Sequence, residues 1–273
     1  MDAQTSRFQM QPRSISSRRS LSAPTSAYVV IPARTASTRL PNKLLLRDTG
    51  RSVLEHTYLA ACRARRPQGV CIAAADAAIA ADARRFGGPF QMTRTDLPSG
   101  TDRVAAVARS MPHISIFVNV QGDEPEIDPD QIDQLIELLE MDPSAAMATL
   151  AVPITERERL EDPACVKVVV DSAGRALYFS RSPIPHPREW SDDLLTCDPP
   201  LFWQHLGIYA YRRDFLLQFG DLPASRLEST ESLEQLRVLE AGHRIRVGFT
   251  QHAARGIDTW DDYRAFVSRA KAC

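Results

Sequence analysis

Two loops of this chain carry the side-chain types that act on phosphate groups. "IPARTASTRLPNK", residues 31 to 43, follows an apolar run and contains Arg34 and Lys43 among small residues. "NVQGDEPEI", residues 119 to 127, ends a longer β-branched and aromatic run and contains Asp123 and Glu124. Lysine and arginine neutralise phosphate oxygens, whereas a carboxylate at the mouth of a buried strand requires a cationic partner. The two loops therefore predict a nucleoside triphosphate held by cations, with a magnesium ion at Asp123.

A second carboxylate for that ion is predicted near the C-terminus. In "GIDTWDDY", residues 256 to 263, Thr259 suits the N-cap of a final helix, and the helix dipole explains the acidic residues that follow it. Asp258 has no such explanation and becomes the candidate second ligand. The residues alone leave simpler roles open: the basic loop could pair with Asp48 or Glu55, and Asp123 could fix a turn.

A few further polar groups could contact substrates. Ser99 and Gly100 precede an amphipathic stretch, where backbone amides could meet a ligand, although an ordinary helix start fits equally well. Arg181 and His205 are the groups in the second half that are best placed to grip an acidic substrate, and His205 suits a structural role as well. The sequence has no Walker A, G-x-G-x-x-G, H-E-x-x-H or G-x-S-x-G motif, which argues against P-loop, zinc and serine-hydrolase chemistry.

The hydrophobic periodicity predicts the elements that position these loops. In the first half, strands and helices alternate: strands at 28–31, 69–75, 89–93 and 114–120, and helices at 52–65, 77–87, 101–111 and 129–141. This alternation indicates a parallel sheet covered by helices on both faces, with ligands bound at the carboxyl ends of its strands.

The second half of the chain has a different pattern. Longer strands are expected first, then a helix, a strand and a closing helix: strands at 145–154, 165–181 and 205–212, a helix at 228–242, a strand at 244–250 and a helix at 259–272. "DSAG", residues 171 to 174, is a plausible hairpin turn. We therefore predict an α/β fold with a mostly parallel core and an antiparallel or mixed insertion.

Composition bounds the class of protein. The chain has 273 residues, 44% hydrophobic and 25% charged, with a formal net charge of -1, so no overall field attracts nucleic acid. No apolar run reaches the eighteen or so residues that a membrane span needs, so no membrane insertion is expected. Residues 1–27 are rich in Ser and Arg with one acid, and we predict a disordered tail there; an organellar transit peptide is a less economical alternative.

Eight stretches, in order between Val29 and Asp262, are shared with a known family: "IPARTASTRLPNK", "MTRTDLPSGTDR", "VNVQGDEP", "ATLAVPI", "VKVVVDSAGRALYFSR", "HLGIYAYR", "LEQLRVLEAG" and "IDT". Together they resemble the CMP-Kdo synthetases, the 3-deoxy-manno-octulosonate cytidylyltransferases. The first stretch is common to several sugar nucleotidyltransferases, and the third, fifth and sixth point to Kdo.

The resemblance implies an activity and an architecture. The enzyme would transfer a cytidylyl group from CTP to Kdo, releasing pyrophosphate and giving CMP-Kdo for lipopolysaccharide synthesis, with Mg²⁺ as cofactor. It would be a cytoplasmic homodimer, with a Rossmann-like core and a smaller dimerisation lobe. Residues 28–273 would then form one nucleotidyltransferase domain, with the smaller lobe built mainly from about 151–212.

The resemblance also implies roles for individual residues. Arg34 and Lys43 would hold the triphosphate, and Asp123 and Asp258 would bind magnesium; these four form the catalytic group. The rest of the CTP site would comprise Asp76, Arg94, Ser99 and Gly100. The Kdo site would comprise Gln121, Arg181, His205, Glu234 and Gln235.

Three positions depart from the family pattern. Asn42 and Leu44 stand where the family usually has Gly and Pro, and Ala75 stands where it commonly has Thr. Asparagine tolerates left-handed backbone geometry, so the turn at Asn42 can survive, whereas Ala75 loses one hydroxyl contact. Alternatives are a cytidylyltransferase for 8-amino-Kdo or a sialic acid, and a non-catalytic nucleotide-binding regulator. The regulator is disfavoured because both carboxylates and both triphosphate cations are present.

Overall fold

The structure is a computed structural model that describes residues 25–37 and 39–272. The predicted tail lies outside the described residues as far as position 24, and its last residue, Ala27, opens the first strand. The strands are β1 Ala27–Ala33, β2 Val70–Ala74, β3 Phe90–Met92, β4 Ile116–Asn119, β5 Ala145–Pro153, β6 Lys167–Val170, β7 Ala176–Ser180, β8 Trp203–Arg212 and β9 Arg244–Phe249. The helices are α1 Val53–Ala61, α2 Ala77–Phe86, α3 Gly100–Ser110, α4 Pro129–Met141, α5 Arg157–Glu161, α6 Arg213–Gln218, α7 Arg226–Glu231, α8 Gln235–Glu240 and α9 Trp260–Ala272.

The first half of the chain forms the parallel part of the sheet. Strand order is β3-β2-β1-β4-β8-β5-β9, and β1 pairs in parallel with both β2 and β4. Helices α1 to α3 connect these strands, so the carboxyl ends of β1, β2 and β4 lie along one edge of the sheet. The loops that follow these strands therefore meet at one edge of the sheet, as the sequence predicted.

The second half adds antiparallel strands to the same sheet. β8 pairs antiparallel with β4 on one side and with β5 on the other, and β9 pairs in parallel with β5. β6 and β7 form a hairpin whose turn, at residues 171–174, contains Gly174 at φ +72. Arg175 in this hairpin bridges to Arg246 of β9, so the hairpin curls back over the sheet. The predicted α/β class and the predicted hairpin turn are confirmed.

The sheet separates two apolar layers. Buried side chains of α1, α2, α4 and α9 pack on one face, and those of α3, α6 and α8 pack on the other. Fully buried residues such as Ile31 and Val118 come from the central strands, and burying each such side chain contributes about 1.5–3 kcal/mol. This core makes the carboxyl edge of the sheet a rigid base for the loops above it.

Three elements differ from the sequence prediction. The single helix expected over 228–242 is two helices, α7 and α8, separated at Ser232, whose φ of 53 is left-handed and cannot continue a helix. Helices α5 and α6 were not predicted, because five and six residues are too few for a clear periodicity. In the part of the chain that the structure describes, no helix combines the length and apolar character needed to cross a membrane.

Candidate active site

A cavity of about 670 Å³ opens at the carboxyl ends of β1 and β4. It is bounded by the loop after β1, the start of α3, the loop after β4 and the segment before α9. The lining residues are Pro32, Ala33, Arg34, Ala36, Ser37, Arg39, Lys43, Leu44, Ser99, Gly100, Arg103, Gln121, Gly122, Asp123 and Asp258. Seven residues proposed from the sequence are in this set, namely Arg34, Lys43, Ser99, Gly100, Gln121, Asp123 and Asp258. The structure thus brings the basic loop and the acidic loops to one place.

The two predicted metal ligands converge on a single atom. The Nζ of Lys43 lies 2.5 Å from Oδ2 of Asp123 and 2.9 Å from Oδ1 of Asp258. The other carboxylate oxygen of Asp258 lies 3.1 Å from the guanidinium of Arg39. Burial lowers the pKa of Lys43, but the two carboxylates outweigh this effect and raise it overall. Distant parts of the chain therefore form one charge cluster in the cavity wall.

Backbone contacts hold Asp258 beside Asp123. The amide of Ile257 donates to the carbonyl of Asp123 at 2.9 Å, which joins the segment before α9 to the loop after β4. Asp262 accepts from the amides of Asp258 and Thr259, and Thr259 Oγ1 accepts from the Asp262 amide. The predicted helix start at Thr259 is therefore present, and it leaves the Asp258 side chain free to face Lys43.

The conformation of the basic loop is set by a left-handed turn at Asn42 and by hydrogen bonds to Asp76. Asn42 has φ 56 and ψ 23, the left-handed conformation expected where the family has Gly. The carboxylate of Asp76 accepts from the amide of Thr35 at 2.8 Å and from its hydroxyl at 3.0 Å. The other oxygen of Asp76 caps α2 through the amide of Ile79 at 3.0 Å. Asp76 thus ties the loop to a helix, and it does not line the cavity.

Hydrogen bonds to Asp76 also affect its charge state. Burial raises the pKa of this carboxyl, but the donors from Ile79 and Thr35 outweigh it and the pKa is lowered overall. Asp76 is therefore ionised at neutral pH. Its role in binding CTP stays a prediction, and the contacts present give it a positioning role.

Two arginines near the cavity differ from expectation. Arg94, predicted to bind CTP, is exposed and forms an ion pair with Asp96, and it is not among the residues that line the cavity. Arg103 lines the cavity and is 3% exposed. Its guanidinium donates to the carbonyls of Arg94, Thr95 and Leu97 at 2.7–3.3 Å. Arg103 thus fixes the loop after β3, a role that sequence reasoning missed because the residue reads as an ordinary helix position.

Two of the predicted Kdo residues, Glu234 and Gln235, lie close to the start of α3. Ser99 caps α3, and Thr101 in the first turn donates to Glu234 at 2.5 Å. Burial raises the pKa of Glu234 although the bond from Thr101 lowers it. The neighbouring Gln235 is 3% exposed and accepts from the hydroxyl of Tyr209 at 3.3 Å. Glu234 and Gln235 therefore lie beside the start of α3.

His205 belongs to the same buried layer but carries no charge. Its ring lies 5.4 Å from that of Tyr209, and its Nε2 lies 3.0 Å from the hydroxyl of Thr149. Burial lowers the pKa of His205 to about 3, so the imidazole is neutral at physiological pH. It can act on an acidic sugar only as a neutral hydrogen-bonding group. The role of His205 as a sugar ligand stays a prediction.

Arg181 is engaged by backbone carbonyls. Its guanidinium donates to Pro163 at 3.0 Å, to Glu231 at 2.6 Å and to Ser232 at 3.4 Å. These contacts join the end of β7 to the junction between α7 and α8, the segment that leads to Glu234. Arg181 is not among the residues that line the cavity, and its contact with the sugar acid stays a prediction.

A buried carboxyl follows the acidic loop residue. Burial, and to a lesser degree the charge of Asp123, raises the pKa of Glu124 to about 8. Its Oε2 is buried and has no hydrogen-bond partner among the described residues. The sequence placed Glu124 beside Asp123 after the strand but gave no sign that burial raises the pKa of Glu124.

The chemistry of the acidic pair fits magnesium. Two carboxylates that meet at one point, next to a basic cavity, match the preference of Mg²⁺ for one or two carboxylates completed by phosphate oxygens and water. Among the residues that the structure describes, no group of three or more His, Cys, Asp or Glu side chains could hold an ion without such help. Asp123 and Asp258 therefore suit an ion that is shared with a phosphate ligand.

Known proteins resemble this chain in both sequence and fold. A family model described as cytidylyltransferase matches residues 28–245. The 3-deoxy-manno-octulosonate cytidylyltransferase of Rhodopirellula baltica is 51% identical over 245 residues, which cover 89% of this chain and 98% of that protein. The protein of the same name from Syntrophotalea carbinolica is 46% identical and covers 87% of this chain and 95% of its own length.

A solved structure gives the same result. The CMP:2-keto-3-deoxy-manno-octonic acid synthetase, in complex with CTP, matches with a TM-score of 0.84 and 38% identity, covering 91% of this chain and 99% of that one. The resemblance inferred from the eight sequence stretches is confirmed, and so is the fold that it implied. The chain belongs to the cytidylyltransferase family, among the 3-deoxy-manno-octulosonate cytidylyltransferases.

Proposed function

We propose that this protein transfers the cytidylyl group of CTP to Kdo and thereby activates Kdo for lipopolysaccharide synthesis. The anomeric hydroxyl of Kdo attacks the α-phosphorus, the bond to the bridging oxygen breaks, and pyrophosphate leaves with CMP-Kdo as product. The observation that carries the proposal is the convergence of Asp123 and Asp258 at Lys43 inside a cavity lined by the basic loop.

The cavity residues supply the two requirements of such a transfer. The triphosphate has to be held in one orientation, and the negative charge that spreads over its oxygens has to be neutralised. Arg34 and Lys43 provide cations on the loop after β1, and Ser99 and Gly100 at the start of α3 also line the cavity. No covalent intermediate with the protein is needed, because positioning and charge account for the rate.

Asp123 and Asp258 would hold a magnesium ion. When bound, the ion supplies positive charge to the phosphate oxygens of CTP. The protein's part is to present the two carboxylates at fixed positions, and the hydrogen bond from the Ile257 amide to the Asp123 carbonyl supports that arrangement.

The acceptor would bind beside the start of α3. Gln121 lines the cavity, and Glu234 is joined to Thr101 in the helix whose first residue, Gly100, also lines it. The buried side chains of Gln235 and His205 continue this polar layer toward Tyr209. These groups are hydrogen-bonding rather than cationic, so they suit the many hydroxyls of an octulosonic acid, and Arg181 remains our candidate for its carboxylate.

One assay tests the reaction directly. Purified protein is incubated with Mg²⁺, each of the four nucleoside triphosphates, and Kdo, 8-amino-Kdo or a sialic acid, and pyrophosphate release is followed while the sugar nucleotide is identified by mass spectrometry. We expect product only with CTP, and the highest rate with Kdo. The Asp258→Asn protein is the matched control for contaminating activity. Turnover of a sialic acid but not of Kdo would refute the substrate assignment.

We also propose a homodimer in the cytoplasm. Leu177 of β7 is 61% exposed, and among the described strands β7 pairs only with β6, so an apolar side chain and an open strand edge are available for a partner copy. Sedimentation equilibrium of the wild-type protein should give twice the chain mass. A monomer at micromolar concentration would contradict this part of the proposal.

A further inference from the structure

We propose that Lys43 keeps the acidic pair closed to free divalent cations until a triphosphate draws its ammonium group away. The metal ion then enters with the nucleotide or after it, and does not bind to the empty enzyme. This inference rests on the proposed function, because it assumes that Asp123 and Asp258 are the metal ligands.

The geometry of the ammonium group carries the inference. Lys43 Nζ contacts one oxygen of each carboxylate, at 2.5 Å and 2.9 Å. It therefore occupies the point at which a cation shared by Asp123 and Asp258 would sit. The Lys43 side chain is 14% exposed and the Asp123 side chain is 26% exposed, so solvent screens this contact only in part.

A second cation cannot be added without displacing the first. Mg²⁺ binds carboxylate oxygens at about 2.0–2.1 Å and requires near-ideal octahedral geometry. An ammonium group within hydrogen-bond distance of both oxygens blocks that coordination, and its positive charge repels the ion as well. Free Mg²⁺ therefore has to compete with Lys43 for the two carboxylates.

The position of Lys43 on the chain allows it to change partners. The residue follows Asn42, whose left-handed turn fixes the backbone, and only the four-carbon side chain has to move. The same side chain lines the cavity shared by Arg34 and the Ser99–Gly100 turn. A triphosphate in this cavity offers the ammonium group new acceptors while bringing phosphate oxygens that complete the coordination of the metal.

Binding of Mn²⁺ to the nucleotide-free protein tests the inference without any measurement of activity. Free Mn²⁺ is measured by electron paramagnetic resonance as protein is titrated. We expect weak binding by the wild type and about tenfold or more tighter binding by Lys43→Met, because one competing charge-assisted hydrogen bond accounts for about that factor. Equal affinities of the two proteins would overturn the inference.

Two controls separate direct competition from a general effect of charge. Arg34→Met removes one positive charge from the same cavity, but Arg34 has no ion pair among the described residues, so we expect its effect to be less than about threefold. The double variant Lys43→Met/Asp258→Asn should lose the gain. A gain with Arg34→Met as large as that with Lys43→Met, or a gain that survives Asp258→Asn, would refute competition at this pair.

A second variant covers the case in which Lys43→Met does not fold. Circular dichroism and thermal unfolding show whether Lys43→Met folds, and Lys43→Gln, with a neutral side chain of similar reach, replaces it if it does not. The proposed function fails separately, when the wild type with CTP, Kdo and Mg²⁺ forms no CMP-Kdo. If Lys43→Met binds Mn²⁺ more tightly but the wild type shows no transferase activity, Lys43 competes with the metal ion for the two carboxylates and the proposed reaction is wrong.

Discussion

Replacing Asp76 tests whether its carboxylate holds the basic loop in place or contacts the nucleotide directly. Its carboxylate accepts three hydrogen bonds, two from Thr35 of the basic loop and one from Ile79 at the start of α2. In Asp76→Ala the lost helix cap costs about 1 kcal/mol, and the two bonds from Thr35 to a charged acceptor add about 1–3 kcal/mol because the site is partly exposed. We expect the free energy of unfolding in urea to fall by about 2–4 kcal/mol.

The same change should weaken nucleotide binding indirectly. Thr35 follows Arg34, so a loop that is no longer tied to α2 holds its cation less firmly and the KM for CTP should rise about tenfold. Asp76→Asn keeps a competent helix cap and one acceptor for Thr35, so it should lose only about 1 kcal/mol of stability. Thr35→Val is the matched control, because it removes only the hydroxyl that donates to Asp76 and leaves the carboxylate in place.

The pH dependence of unfolding gives an independent check. The pKa of Asp76 is lowered in the folded protein, so ionisation of this carboxyl stabilises the native state relative to the unfolded state. The stability difference between the wild type and Asp76→Asn is then complete above the ordinary carboxyl pKa of 3.8 and disappears as the pH falls through the lower folded value.

The pattern of results decides between the two roles. A raised KM for CTP with unchanged unfolding free energy would mean that Asp76 contacts the nucleotide directly and does not hold the basic loop in place. Lower stability with an unchanged KM would show that the loop keeps its shape without α2.

Four further substitutions test the site and its surroundings. Asp123→Asn and Asp258→Asn should each lower kcat by about 10²–10³ without unfolding the protein, because each removes a charge that the transition state needs; near-normal turnover at modest Mg²⁺ would reject the pair. Arg181→Ala should raise the KM for Kdo and leave that for CTP within about twofold, since its contacts lead toward Glu234; the reverse pattern would move it to the nucleotide. Lys167→Met should cost about 2–4 kcal/mol in urea unfolding, because the buried ammonium donates to three carbonyls, and an unchanged midpoint would show that those carbonyls find other donors.

Sequence reasoning located the cavity because parallel strands end at one edge. Arg34, Asp123 and Gln121 all follow strands whose carboxyl ends are adjacent in the sheet, so their proximity follows from topology. Asp258 was identified by elimination, since Thr259 and Asp262 explain the start of α9 without it. The contact between Lys43 and the two carboxylates was not foreseen, because spacing along the chain does not determine which charges pair.

Several features in both halves of the chain were harder to predict, for a physical reason. They involve backbone groups and buried polar side chains that leave no periodic pattern. Arg103 binds three carbonyls of the loop after β3, and Ser232 interrupts a helix whose apolar spacing continues past it. Burial also changes pKa values in ways that residue type alone does not predict. It lowers the pKa of His205 and raises that of Glu124, so both side chains favour their neutral forms.

The two carboxylates of the site come from parts of the chain that different contacts hold in place. Asp123 follows β4 in the parallel part of the sheet, whereas Asp258 lies beside it because the segment before α9 is docked there. That docking depends on contacts far from the cavity: the hydroxyl of Tyr263 accepts from the amide of Asp48 at 2.9 Å, and Phe266 packs edge-on against His56 at 5.1 Å. The proximity of Asp123 and Asp258 therefore depends on the packing of α9 as well as on the parallel sheet.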